Sequence, residues 1–381
     1  MKILVNTDTF EPLGGVELST LQVTSGLVSR GHECHLLYAA GGGGLEAPWR
    51  SVAASMTRVP GFTVAAARPW RTAHHLPPAI RAARRVAPEV VYANRAEHLL
   101  WALGAARTSD AGLLVHLRHH PFPAPLVRLL GRGATRYLAV SQFLKDGWVG
   151  AGLPSGAIDV VPNGIDPEWY RPPTTAERAA ARLGLGVTDD RPVVLCYGRL
   201  SVDKGLPTLL DAWSARAQPQ QPALLVLAGD ADPDVDRLLA PAAQPSVRHV
   251  PRRDDVRDLL HAADLVVLPA TWSEPFGRVV IEAMAAGVPV IASRVGGIPE
   301  ILTGRFAGQL VPRSDPRALG AAIERLLDWR RTEPDLGPAG REHVQRFFSL
   351  SATVDVVEAT LARVARTHND REVGRWSATA A

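Results

Sequence analysis

The chain is short of several features, and each shortage excludes a class of protein. Its 381 residues contain two cysteines, Cys34 and Cys196, and neither has metal-ligand or redox spacing. Both lie in apolar, strand-like runs, where a free cysteine is usually core. No apolar run approaches 18 residues, so no transmembrane helix is expected. The opening Met1-Lys-Ile-Leu-Val5 lacks the basic, apolar and small-residue order of a secretory leader and reads as a first strand. These absences point to a cytoplasmic protein. Net charge is also scarce: a formal +4 fits an anionic substrate without calling for nucleic acid.

What remains is ordinary globular composition, 46% hydrophobic and 21% charged, with enough chain for two domains that each bury a core. Short Val-, Leu- and Ile-rich runs predict strands at 2–7, 33–39, 90–93, 112–117 and 137–140, and another starting at 158. Further on, strands are expected at 193–197, 224–228, 247–250, 265–269 and 288–292. Helical periods fall between them, at 16–29, 206–217 and 276–286, as in parallel α/β sheets.

Residues 271–293 organise the rest. A buried strand leads into a loop, Pro275 and Gly277 open a helix, Gly287 closes it, and a second strand follows. Parallel sheets bind ligands at the carboxyl ends of strands in units of this kind. The unit carries two carboxylates, Glu274 in the loop and Glu282 in the helix. Six helical residues rise roughly 9 Å, too far for a close acid/base dyad and about the span of a hexose with its diphosphate. The free N–H groups of the helix start suit a phosphate between them. The plainer reading is one capping and one solvated glutamate.

A second motif is Gly198-Arg-Leu-Ser-Val-Asp-Lys-Gly205, which follows a strand and precedes a helix. Arg199 and Lys204 could there neutralise a departing diphosphate without a metal. A third is the loop at 11–15, whose Gly14-Gly15 lacks the third glycine of a dinucleotide fingerprint but can bring amides of a helix start near a phosphate.

The run EPFGRVVIEAMAAGVPVIAS from Glu274, followed by Val295-Gly-Gly-Ile-Pro-Glu300, resembles the retaining glycosyltransferases of family 4. The resemblance covers roughly residues 1–365 and is most specific over 195–312. It implies the GT-B fold, two Rossmann-like domains facing a central cleft. An acceptor domain would span 1–168, with a helix at 351–365 packing back on it. A nucleotide-sugar donor domain would span 169–350, and a flexible tail 366–381. It implies that Glu274 contacts the donor sugar and Glu282 the ribose. Amides at Phe276 and Gly277 would reach sugar and phosphate, Arg199 and Lys204 would hold the diphosphate, and Gly14-Gly15 would face it. Arg278 stands where an aliphatic residue is common. Pro251 stands where glycine is common in the loop that reads the nucleobase, so the part played by Arg252 there is open. A catalytic-site histidine often follows the family's strand equivalent to 112–117. Here His116-Leu-Arg-His-His120 offers Arg118 or His119, and the sequence leaves that choice open. Strand spacing does not converge three imidazoles, which argues against a metal.

The stretch 47–88 has no acidic residue, seven arginines, and Trp49 and Trp70 interleaved. As a surface it could dock on anionic lipid or capture an anionic acceptor. The loop from Gly229 to Asp234 alternates aspartates and reads as solvated rather than metal-binding. The function expected is transfer of a hexosyl group, with retention, from a UDP- or GDP-sugar (UDP-GlcNAc favoured) to an acceptor hydroxyl. Its partners would be that nucleotide sugar and a small-molecule or glycan acceptor, with peripheral contact to an inner membrane. No cofactor, metal or nucleic acid is expected. Rival readings are a sugar-nucleotide epimerase on the same plan and a sensor that binds without turnover. The first domain of such enzymes selects its acceptor through variable loops, so the acceptor is not legible.

Overall fold

The computed structural model of the chain describes residues 1–11, 14–63, 73–216, 222–230 and 245–379. It separates into two compact units, Met1–Gly164 with Leu350–Ala381, and Ile165–Ser349.

Among the described residues, unit 1 holds a seven-stranded sheet in the order β3-β2-β1-β4-β5-β6-β7. Its strands are β1 (Lys2–Thr7), β2 (Glu33–Tyr38), β3 (Ser55–Arg58), β4 (Val90–Ala93), β5 (Gly112–Leu117), β6 (Arg136–Ala139) and β7 (Ile158–Val160). All pairings are parallel. β4 and β5 are buried along their whole length, as strands covered on both faces must be. The helices used below are α1 (Gly15–Ser29), α2 (Glu46–Val52), α3 (Leu76–Val86), α4 (Leu99–Ser109), α5 (Ala124–Leu130) and α6 (Gln142–Ala151).

Unit 2 holds a six-stranded parallel sheet, β10-β9-β8-β11-β12-β13. Its strands are β8 (Val193–Tyr197), β9 (Leu224–Ala228), β10 (Val247–Val250), β11 (Leu265–Leu268), β12 (Val290–Ser293) and β13 (Leu310–Val311). The helices α7 (Thr175–Gly184), α8 (Leu206–Ser214), α9 (Arg257–Ala262), α10 (Arg278–Ala285), α11 (Pro316–Leu326) and α12 (Leu336–Phe347) flank it. The last helix, α13 (Leu350–Thr379), belongs to unit 1. There Val354, Val357, Leu361 and Val364 join Ile3, Val5, Leu27 and Leu114 in one core.

Each sheet is Rossmann-like, and in each the strand order turns about one point. The turn falls between β1 and β4 in unit 1 and between β8 and β11 in unit 2. The carboxyl ends of those four strands are where such sheets bind ligands.

Three expectations are corrected. Helix α13 does not stop near 365 but continues to Thr379. Residues 366–372 are polar but contain neither Gly nor Pro, and polarity alone does not end a helix. Helix α10 starts at Arg278, after a left-handed Gly277 (φ 105°), rather than at Phe276. Trp49 is no surface residue: it is 1% exposed and lies in the core of unit 1 on the inner side of α2. Trp70, Arg68 and Arg71 lie outside the described residues.

Candidate active site

In unit 2 the loops after β8 and β11 are stitched together. The backbone N–H groups of Thr271 and Trp272 both donate to the carbonyl of Asp203, at 2.9 and 3.2 Å. The approach is close enough to require glycine at 205: with φ +78°, a Cβ there would stand 1.8 Å from the Pro269 carbonyl oxygen. The result brings Lys204 and Glu274 together, Nζ to Oε1 at 2.5 Å. Trp272 Nε1 donates to the same carboxylate oxygen at 2.9 Å, and its ring lies 4.9 Å from the ammonium. Glu274 is 7% exposed. Its carbonyl accepts from Gly297 N–H at 2.8 Å, and Gly296 is pinned at φ +55° because a Cβ would lie 1.9 Å from that oxygen.

Arg199 is the outer cation, half-exposed and 2.8 Å from Asp203 Oδ2. Burial raises the Asp203 carboxyl, but the Ser201 hydroxyl and the charges of Arg199 and Lys204 outweigh it and hold the group below its usual range. Neither cation is therefore bare: each is balanced by a carboxylate that a bound polyanion could replace.

Glu282 sits in α10, 6% exposed, and its oxygens are spoken for. Arg278 Nε donates to Oε1 at 2.6 Å, one turn away on the same helix face. Tyr170 donates to Oε1 at 3.2 Å and Tyr197, the last residue of β8, donates to Oε2 at 2.9 Å. Burial first, and the Glu282 charge second, push both phenols above their ordinary range, so both stay protonated donors. Sequence reasoning missed the two tyrosines; a tyrosine closing a buried strand at the switch point was the available signal. Phe276 is a core side chain, its ring 5.9 Å from that of Phe348. Arg252 lies after the edge strand β10, loosely set 3.7 Å from Asp230 and 3.7 Å from Asp254.

Unit 1 presents a different chemistry at the carboxyl end of β5, beside its switch point. Arg118, just past β5, is buried, donating to Asn163 Oδ1 at 2.7 Å and standing 3.2 Å from His116 Nδ1. Tyr92 OH meets the same nitrogen at 2.8 Å. Burial, reinforced by the Arg118 charge, holds His116 well below its usual pKa. His119 is half-buried, and its Nε2 has no hydrogen-bond partner among the described residues. Burial lowers its pKa more than the nearby Glu97 and Glu17 charges raise it. Trp148 Nε1 donates to the His119 carbonyl at 3.0 Å, fixing that backbone.

The cluster at the ends of β1 and β4 was not read from the sequence. The Asn6 side-chain amide donates to His98 Nδ1 at 2.7 Å, which leaves Nε2–H to donate to Asp8 at 3.0 Å. Arg95 pairs with the buried Glu17 at 2.5 Å. Glu17 lies in the first turn of α1, behind Gly14 and Gly15, so a carboxylate already meets the positive end of that helix. Pro12 and Leu13 of this loop, and Asp232 and Asp234 of the aspartate loop, lie outside the described residues. Among the described residues no three His, Cys, Asp or Glu converge as metal ligands.

Two matches to protein families divide the chain as the two sheets do. Residues 13–169 match Glycosyltransferase Family 4, and residues 191–328 match Glycosyl transferases group 1. The chain belongs to glycosyltransferase family 4. Its two Rossmann-like sheets are those of the GT-B class, and the motif bearing Glu274 and Glu282 lies inside the second match. This family 4 chain is similar to a GDP-mannose-dependent monoacylated α-(1-6)-phosphatidylinositol monomannoside mannosyltransferase of Corynebacterium glutamicum. They are 35% identical over 199 residues, 50% of this chain and 52% of the relative. It is also similar to a D-inositol 3-phosphate glycosyltransferase of Segniliparus rotundus, 33% identical over 274 residues, 66% of this chain and 58% of that one. The matched parts thus span little more than half the length of these relatives. In fold it is similar to Anabaena Alr3699/HepE, solved in complex with UDP and glucose. The TM-score is 0.81 at 24% identity, covering 95% of this chain and 99% of that one.

Proposed function

We propose that this protein transfers a hexosyl group from a nucleoside diphosphate sugar to an acceptor hydroxyl, with retention at the anomeric carbon. The observation that carries this reading is the Lys204–Glu274 pair, held with Trp272 at the carboxyl ends of β8 and β11. Donor phosphates would take Lys204 and Arg199 in place of their carboxylates, and those cations would stabilise the charge of the departing diphosphate. Glu274, released from Lys204, would orient sugar hydroxyls beside the carbon where positive charge develops. Glu282 would accept from the ribose. Its carboxylate has acceptor capacity beyond the Arg278, Tyr170 and Tyr197 bonds. The N–H groups of Gly277 and Arg278 and of Gly14 and Gly15 are the candidate diphosphate donors, and Arg252 borders the nucleobase. In unit 1, His119 would meet the reacting sugar through its unpartnered Nε2, with Arg118 positioning the turn behind it. A donor phosphate oxygen would take the acceptor proton, and no metal or cofactor enters.

The donor is a UDP- or GDP-hexose. UDP-GlcNAc is the first candidate, and GDP-mannose enters because two similar proteins are named for it. The test is a thermal-shift panel of nucleotide sugars followed by donor turnover with and without candidate acceptors. One donor should raise the melting temperature by mass action and be slowly hydrolysed. Binding without hydrolysis would instead make the protein a sensor. Epimerised sugar nucleotide from donor alone would make it an epimerase.

A further inference from the structure

Helices α3, α4 and α5 of unit 1 contain no aspartate or glutamate, but five arginines: 81, 84 and 85 on α3, 107 on α4 and 128 on α5. All five side chains are exposed, as is Arg132 just beyond α5. None of the six forms an ion pair among the described residues. The helices adjoin one another. α3 packs on α4 through Ile80 against Gly104, and the segment after α5 meets α4 where Gly133 faces Leu103. Of the flanking carboxylates, Glu89 accepts from the Lys2 N–H and Asp110 pairs with His368, while Glu97, just before α4, is exposed.

The same helices carry an apolar component. Leu100 on α4 is 43% exposed, and Leu126 and Leu129 on α5 are 42% and 76% exposed. A seven-residue helix that turns two leucines outward beside an arginine cannot bury them within its own unit. Arginine heads with leucines among them, and no acidic residue within the three helices, describe a surface that meets negative charge and apolar chain together. A soluble polyanion would use the arginines and leave the leucines in water.

We propose that this α3–α5 face docks on an anionic phospholipid bilayer. The arginines would engage headgroup phosphates, and Leu126 and Leu129 would enter the acyl boundary. The inference stands apart from the transferase reading, since it uses none of the residues assigned to donor or reaction. It also moves the contact expected from residues 47–88: of that stretch only the α3 arginines take part, and the apolar anchors come from α5.

The experiment is co-sedimentation of the full chain with vesicles of phosphatidylcholine alone and of phosphatidylcholine mixed with phosphatidylglycerol, at low and high salt. Partitioning should need the anionic lipid and weaken with salt. The triple variant Arg81→Gln/Arg84→Gln/Arg85→Gln should partition on the order of a hundredfold less, about fivefold per arginine. Leu129→Glu, at a site too exposed to affect folding, should weaken binding about tenfold. The control Arg313→Gln on unit 2 should change nothing. Equal binding to neutral vesicles, or wild-type partitioning of both the triple variant and Leu129→Glu, would overturn the proposal. So would binding to duplex DNA that matches the vesicles and ignores Leu129→Glu, because the face would then serve a soluble polyanion.

Discussion

The carboxyl ends of the two sheets solve the problem of a polar site in opposite ways. In unit 2 the charges sit on loops as matched pairs, the largely buried Lys204 with Glu274 and the more exposed Arg199 with Asp203. In unit 1 the polar groups are imidazoles packed under the surface, His116 against Tyr92 and Arg118, His98 against Asn6 and Asp8. The first arrangement sets opposite charges side by side on loops. The second packs imidazoles among fixed hydrogen-bond partners. In the function proposed above, the cations for the diphosphate would come from unit 2, and unit 1 would add His119 beside the sugar, a division that can be tested.

The strongest challenge to that division is Lys204→Ala. Removing the cation nearest the developing charge should lower kcat/KM several hundred-fold, about 3–4 kcal/mol, as loss of one preorganised donor does. Steady-state kinetics with a saturating acceptor measures it, and a variant within tenfold of wild type would leave unit 2 without its assigned role.

A paired measurement sharpens the contrast. His119→Asn should reduce kcat by about two orders of magnitude, the scale of losing one preorganised group at the reacting centre. Its affinity for free nucleoside diphosphate should stay unchanged. Glu282→Gln should do the reverse, weakening the diphosphate by calorimetry with little change in kcat. It should also destabilise the fold by about 3 kcal/mol, because Arg278 is left buried without its partner charge. Should His119→Asn lose the diphosphate as well, the two sheet ends would not be separable in function.

Acidification tests unit 1 through His116 and His119, with His343 the lowered imidazole of unit 2. His116 and His119 titrate near 6.5 when unfolded and lower when folded, so below that value the unfolded chain binds more protons. The stability they contribute is complete above pH 6.5 and is lost as pH falls from there towards their folded pKa values. Melting temperatures measured from pH 7.5 downwards should fall, and more steeply for wild type than for His116→Asn. Parallel curves would mean that these imidazoles do not carry the acid sensitivity. The smallest expected effect is none: turnover should persist in excess EDTA, since Arg199 and Lys204 take the place of a metal at the diphosphate. Activity lost and then restored by Mg²⁺ would return the aspartate loop to consideration.

Much of the architecture was legible because buried parallel strands are written as short apolar runs. β1, β5, β8 and β9 keep the bounds read from their apolar runs, 2–7, 112–117, 193–197 and 224–228. The edge strands β3 and β13 were not, since one is polar and the other has two residues. Loop motifs gave Arg199, Lys204, Glu274 and Glu282 because glycines and prolines bracket them. Sequence does not encode which side chains meet. Tyr170 and Tyr197 lie far apart in the chain yet share Glu282, and His98 looks like an ordinary helix-start residue until β1 brings Asn6 and Asp8 to it. Trp49 misled for the same reason: arginines nearby suggested surface, while its own face of α2 points inward.

The chain enters unit 2 at Ile165 and leaves it at Ser349, and these two residues form a parallel bridge, with Ile165 N–H donating to the Phe348 carbonyl at 3.0 Å. Unit 2 is thus an insertion within unit 1, and this sets an order of events on the ribosome. When Ser349 emerges, unit 2 has every residue it needs, whereas unit 1, although translated first, still lacks the helix that supplies Val354, Val357, Leu361 and Val364 to its core. The earlier-made unit must wait with an open apolar face until α13 arrives, so a stall before that helix emerges would strand unit 1 and spare unit 2.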